Sequence, residues 1–210
     1  MTYFRLNVFG AALLALFASV GVANAQLTLV PNGDFATAGG ANWVSASVGA
    51  VATYPAAGGN TGGFGQLSQT AAGWGGVLVS ENSGTTGRSL ASLGVTPGMI
   101  ATFNIDLINL GAGAPVAGMK IENWNAGAII NDSTDITFAT TGSWVNHQFN
   151  FLVAPTATSL KFVPLLVVQP VGSIVGFDNV GVFSNAVPEP GTFGLVALGV
   201  VGLIARRRRS

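Results

Sequence analysis

Ala101-Thr102-Phe103-Asn104-Ile105-Asp106-Leu107-Ile108-Asn109-Leu110 places apolar side chains at 103, 105 and 107 and polar ones at 102, 104 and 106. Successive side chains of an extended chain point to opposite faces, so this period of two is the mark of a strand with one face on a core and one in water. The same pattern recurs on both sides. Met119 and Ile121 alternate with Lys120, Glu122 and Trp124, and Val145, Phe149, Phe151 and Val153 alternate with Asn146, Gln148 and Asn150. Turn-forming spacers at Gly111–Pro115, Asn131–Asp135 and Ala154–Thr158 separate these runs. No sustained helical period and no strand–helix–strand alternation interrupts them, which points to an all-β antiparallel sandwich rather than a parallel α/β sheet. Leu160–Val171 is more continuously apolar and holds Pro164 and Pro170, which predict an edge or bulged segment. Gly39–Gly65 reads as a long loop or weak strands around Ala56-Ala57-Gly58-Gly59-Asn60.

Composition narrows the chemistry. Charged residues make up 8% of the 210, against roughly 25% in an ordinary soluble domain, and there are 30 glycines. No cysteine and one histidine, His147, exclude disulfide scaffolds, zinc–thiolate sites and cysteine nucleophiles. The zero net charge hides a division, because Arg5 and Arg206–Arg209 lie in the terminal segments. Between those segments, Arg88, Lys120 and Lys161 face seven carboxylates, a net charge of −4. Without a basic face there is no expectation of nucleic-acid binding.

Both ends read as addresses. Residues 1–25 combine Arg5, an apolar run from about Val8 to Val22 and the small-x-small sequence Ala23-Asn24-Ala25, the three zones of a signal peptide. Export through the Sec translocon and cleavage by signal peptidase after Ala25 are expected. At the other end, Val187-Pro188-Glu189-Pro190 breaks regular structure, fifteen uncharged residues run from Gly191 to Ala205, and Arg206, Arg207, Arg208 and Arg209 follow. A helix over 191–205 would be about 22 Å long at ~1.5 Å per residue. That is short of the ~30 Å hydrocarbon core, but arginine stems reach toward headgroups and extend a span, and the arginine block keeps that end cytoplasmic. The expected organisation is a signal peptide at 1–25, a β-sandwich passenger at 26–186, and a sorting segment at 187–210 with a transmembrane helix over about 191–205.

Pro-Glu-Pro, a short apolar segment and a terminal arginine cluster resemble the PEP-CTERM sorting signal of Gram-negative bacteria. The resemblance implies processing at Pro188, Glu189 and Pro190 by an exosortase-type membrane protease. It also implies a transient anchor in the inner membrane, then a place at the cell surface or in the extracellular matrix, with links to exopolysaccharide and biofilm. It says nothing of what the passenger does.

Within the passenger, three stretches resemble the jelly-roll carbohydrate-binding modules of the galactose-binding-like group. Leu29-Val30-Pro31-Asn32-Gly33-Asp34-Phe35 with Trp43 is similar to their opening strand, Thr141-Gly142-Ser143-Trp144 with Phe149 and Phe151 to an inner one, and Gly176-Phe177-Asp178-Asn179-Val180 to the closing one. Ala36 departs from the acidic residue usual after the opening Phe, and Gly39–Gly65 has no counterpart. The resemblance implies that Trp43 and Trp144 are core residues. It also implies a structural Ca²⁺ with Asn32, Asp34 and Asp178 as side-chain ligands; the alternative is that Asp34 caps a turn and Asp178 accepts backbone hydrogen bonds. No cofactor beyond that ion is expected.

No nucleophile elbow, His-Glu-x-x-His pair, phosphate loop or dinucleotide fingerprint is present, and no catalytic residue is expected. His147 falls on the inward parity of its strand, a place for a core or rim histidine rather than a base. A glycoside hydrolase or lyase would need Asp106 and Glu122 facing each other across a bond, as paired carboxylates do. Sugars present polar edges and apolar C–H faces, so their sites combine amides, carboxylates and exposed aromatics. The candidates are Trp124, Trp74, Asn104, Asp106, Glu122, Asn146 and Gln148. Trp124 is either a platform or packed under a loop. If their three strands are neighbours, these residues make one polar face around Trp124. The expected function is a non-enzymatic one, binding or associating with exopolysaccharide. Its rivals are a structural biofilm or matrix protein with no specific ligand, and the hydrolase or lyase.

Overall fold

The computed structural model describes residues 26–73, 75–80, 87–167 and 169–184. The expected signal peptide, the sorting segment with the helix expected in it, Ala25, Pro188–Pro190, Arg206–Arg209 and Trp74 lie outside the described residues. Among the described residues no helix is long and apolar enough to cross a membrane.

The strands in chain order are β1 (Gln26–Leu29), β2 (Trp43–Val48), β3 (Ala50–Thr53), β4 (Gly65–Gln69), β5 (Gly75–Ser80), β6 (Arg88–Ser89), β7 (Ile100–Asn109), β8 (Val116–Asn125), β9 (Ala128–Asp132), β10 (Ile136–Ala139), β11 (Val145–Leu152), β12 (Ser159–Leu166) and β13 (Ile174–Ser184). They form two antiparallel sheets. The first runs β11-β7-β13-β4-β3, with β1 also on β13. The second runs β10-β8-β12-β5-β2, with β6 on β12 and β9 on β8. The expected antiparallel β-sandwich is what the chain forms.

The period-two reading of Ala101–Leu110 holds in three dimensions. Phe103, Ile105 and Leu107 are fully buried on the inner face of the first sheet, and Ala117, Met119 and Ile121 of β8 answer them from the second. Phe103 sits among the rings of Phe149, Phe151 and Phe162, with centroids 5.7, 6.4 and 5.6 Å away, and so ties β7 to both β11 and β12. His147 points inward as its parity requires. Its ring stacks on Phe138 of β10 at 4.2 Å, closing one side of the sandwich. Burial lowers its pKa, with Asp106 acting in the opposite sense. Gln26↔Ser184 pairing closes the first strand on the last, so Gln26–Ser184 carries its own core and folds as a unit.

Two expectations change. Leu160–Val171 does not supply an edge: β12 lies inside the second sheet, in unbroken register with β8 from Ser159 to Leu166, Pro164 opposite Met119. The reason is local. On its other side β12 pairs only at Ser159–Leu160, with β6, and at Leu165–Leu166, with β5. The amide of Phe162 on that side donates to Ser80 Oγ at 2.9 Å, and two residues on Pro164 faces the same gap, where no amide is needed. The strand reading of Gly39–Gly65 is the one that holds, with β2 in the second sheet and β3 in the first before the loop 54–64. Asn131 and Asp132, expected in a turn, end the exposed strand β9.

Candidate functional site

β7, β11 and β13 bring Asn104, Asp106, Asn146, Gln148 and Asp178 together on the outer face of the first sheet. Register sets this up: Asn146 pairs with Asp106, Gln148 with Asn104, and Asp178 with Asp106. Between Asp178 and Gly181 the register of β13 shifts by a bulge, and Asn179 takes a left-handed conformation (φ 48°) that turns its side chain over the same row. Asp106 and Asp178 are 2% and 0% exposed, and amides surround both. Asp106 accepts from Asn146 Nδ2 (2.6 Å), Asn60 Nδ2 (2.7 Å) and Asn179 Nδ2 (2.7 Å). Asn104 Oδ1 accepts from Asn146 Nδ2 at 2.8 Å, and Asn104 Nδ2 donates to Asn179 O. Gln148 Nε2 donates to Asn146 Oδ1 at 3.1 Å.

Asp178 accepts the backbone N–H groups of Asn179 (2.7 Å) and Thr61 (3.0 Å), and that of Asn60. Burial pushes its carboxyl above the usual range; these N–H bonds work against that, and neighbouring Asp106 adds to it. A carboxyl raised in the folded state favours the protonated fold. Its contribution is fully present below the ordinary pKa near ~4 and is lost as the pH rises through the raised value. On going from pH 7 toward pH 4, wild-type protein is therefore expected to gain stability relative to Asp178→Asn, measured as the difference in melting temperature at each pH. A constant difference would contradict the assignment.

Asn60 and Thr61 reach the row because the loop 54–64 is glycine-rich. Gly59 N donates to Gly62 O at 2.8 Å, and a Cβ on Gly59 would lie 2.1 Å from Gly63 O, so only glycine allows this close return. Beside the amides stands an aromatic pair. The Trp144 ring meets Phe64 edge-on at 5.7 Å, and Trp144 Nε1 donates to Gly58 O at 3.1 Å. Both rings lie over Gly176, whose missing Cβ would come within 3.1 Å of each. Trp144 is thus half-buried on the outer face and is not a core residue, because the inner positions behind it are already filled by Val175 and Phe177. Trp43 is a core residue: it stacks on Phe35 at 4.9 Å and donates to Asn32 O. Asn60, Thr61, Trp144 and Asn179 are the members of this cluster that sequence reasoning missed. The two asparagines and the threonine reach it through a loop and a bulge, which leave no periodic signal.

Trp124 and Glu122 lie elsewhere. β8 belongs to the second sheet, so the single face expected from β7, β8 and β11 does not form. On that other outer face Trp124 donates to Glu122 Oε2 (3.0 Å) under Lys161 Nζ, 4.1 Å from the ring centroid, and Lys120 Nζ pairs with Glu122 at 2.9 Å. Asp106 and Glu122 have the core of the sandwich between them and do not face each other across a cleft, which removes the carboxylate pair a hydrolase was expected to use.

The residues expected at a calcium ion have protein partners. Asn32 accepts from Thr37 N (2.8 Å) and donates to Ala41 O (2.9 Å), while Asp34 Oδ1 caps Ala36 N (3.2 Å). Asp178 is turned to Asn60 and Thr61. Among the described residues no group of three or more His, Cys, Asp or Glu is placed to hold a metal ion.

In fold the chain is similar to three solved structures. These are the CBM22-1–GH10 modules of the Clostridium thermocellum endo-1,4-β-D-xylanase 10B complexed with xylohexaose (13% identity, 77% of this chain and 29% of that one, TM-score 0.56), the enzymatically active domain of bacteriophage CBA120 tailspike protein 4 (16%, 73% and 21%, 0.56), and the CBM22-1 xylan-binding domain of Paenibacillus barcinonensis Xyn10C (14%, 71% and 90%, 0.50). The chain spans less than a third of the first two. At these identities the likeness establishes the fold alone, a jelly-roll β-sandwich. No curated protein matches the chain in sequence. Residues 186–209 match the PEP-CTERM protein-sorting motif, so the chain carries that sorting signal behind a jelly-roll β-sandwich.

Proposed function

We propose that this chain is an exported, exosortase-processed surface protein whose sandwich binds extracellular polysaccharide on the outer face of the first sheet, without catalysis. The carrying observation is the layering of that face. Buried Asp106 and Asp178 lie beneath and fix the amides, while exposed Asn60, Thr61, Asn146 and Gln148 lie above them, beside half-buried Trp144. Pre-oriented amides meet sugar hydroxyls without an ordering cost, and an indole accepts the apolar face of a pyranose. The solved relative complexed with xylohexaose shares the fold and supports the reading.

The test is retention of purified Gln26–Ser184 on soluble and insoluble polysaccharides, the producer's matrix included, with and without EDTA. Trp144→Ala and Asn146→Ala are each expected to lower retention at least tenfold, and Trp124→Ala, on the opposite face, to leave it unchanged. Loss with Trp124→Ala alone would move the site to the second sheet. No retention on any glycan by folded protein would sink the binding reading in favour of a structural matrix role. Loss with EDTA would bring an ion into the site.

A further inference from the structure

Strand β11 forms one margin of the first sheet, and among the described residues no strand pairs with its outer side. At eight residues it is longer than the strands at the other sheet margins, β2, β3, β9 and β10, which have four to six. It matches β7 residue for residue from Val145 to Leu152 with no bulge. Natural edges are blunted by lysine, proline, bulges or inward-pointing charge; Val-Asn-His-Gln-Phe-Asn-Phe-Leu has no proline, lysine, arginine or carboxylate. Among the described residues nothing but β7 bonds to the backbone of Val145–Phe151. Beyond the His147–Phe138 contact, the apolar side chains along this line are only partly covered. Phe149 and Phe151 of β11 and Phe138 of β10 pack on the core yet remain only half-buried, and Leu152 is 46% exposed.

We propose that β11 pairs antiparallel with β11 of a second copy of this chain, about a two-fold axis at Gln148, joining two six-stranded sheets into one. That axis follows from the sequence of the strand. Centred on Gln148 it pairs seven residues, 145 to 151, and sets amide against amide on the outer face, Gln148 on its own copy and Asn146 on Asn150. An axis at Phe149 would set Asn146 against Leu152. Inside, His147 meets Phe149, and the half-buried aromatic edges gain the cover that neither copy has alone. Identical strands related by a two-fold axis make a closed, self-complementary contact, and amide pairs stabilise such ladders. The pairing does not depend on sugar binding. Its consequence for a polymer ligand is two amide rows side by side on one continuous face, so that one glycan chain meets two sites.

The chain has no cysteine, which makes single-cysteine cross-linking unambiguous. Gln26–Ser184 carrying Gln148→Cys is expected to convert mostly to covalent dimer under mild oxidation, because residues facing across an antiparallel pair lie within disulfide reach. Val51→Cys, exposed on the opposite margin, is expected to stay monomeric. In sedimentation equilibrium without glycan, wild-type protein is expected to approach twice the monomer mass as concentration rises. Gln148→Lys, which sets two like charges face to face, is expected to stay at the monomer mass. A wild-type monomer at every concentration, or cross-linking of Gln148→Cys no faster than Val51→Cys, would overturn the proposal. Were Gln148→Lys not to fold, the cross-linking comparison decides.

Discussion

Phe103→Ala is expected to cost about 4 kcal/mol of stability, the middle of the range for an aromatic removed from a closed core. Phe103 is fully buried and touches the rings of Phe149, Phe151 and Phe162, so the void opens between the two sheets where neither can relax without the other. In a domain of this size that loss corresponds to a fall in melting temperature of about 10 °C. Urea unfolding followed by tryptophan fluorescence measures it through the shift in midpoint at constant slope. A loss below about 1 kcal/mol would mean that the aromatic cluster is not the joint between the sheets. Glycan retention at temperatures where the variant stays folded is expected to fall only modestly, since the cavity lies under β11 and not on its outer face.

The second large effect falls on function first and stability second. Asp106→Ala removes the acceptor shared by Asn60, Asn146 and Asn179. Asn60 and Asn146 are exposed and can turn to water, so the stability loss is expected to be about 2 kcal/mol, less than for a fully enclosed charge. The amides nevertheless lose their common orientation, and retention on polysaccharide is expected to fall at least tenfold. Asp106→Asn keeps one acceptor oxygen and is expected to recover part of it. Retention unchanged in folded Asp106→Ala would show that the amide row is not where sugar binds, and would direct attention to the second sheet.

The contrast between Asn104 and Trp124 shows how much of the site was legible. Both read as outward-facing from the alternation of their strands, and both are. Alternation reports which side of its own strand a residue occupies and carries no information about which strand lies next to it. β7 and β8 are consecutive, yet the chain crosses from one sheet to the other between them, so two outward residues ended on opposite outer faces. Trp144 departs for a different reason. The resemblance implied a core place for it, but position 144 has the outward parity of Asn146, Gln148 and Asn150, and the bare backbone of Gly176 offers its ring a place outside. Pro164 is the converse: the rule that excludes proline from a ladder holds at its amide, and only the gap between β5 and β6 let β12 lie inside the sheet.

Local chemistry by itself determined the C-terminal sorting motif, the β class, the inward set of Phe103, Ile105 and Leu107 and the outward set of Asn104, Asp106, Asn146 and Gln148. Each depends on residues a few positions apart and on the two-residue repeat of an extended chain. Only the tertiary structure decided that Asp178, Asn179, Asn60 and Thr61 join that outward set, that Trp124 does not, and that β11 is left at a margin. Those outcomes rest on pairings between segments up to 118 positions apart, as for Thr61 and Asn179. Such pairings are chosen by how the whole set of strands buries its apolar faces at once, a condition no single stretch of sequence contains.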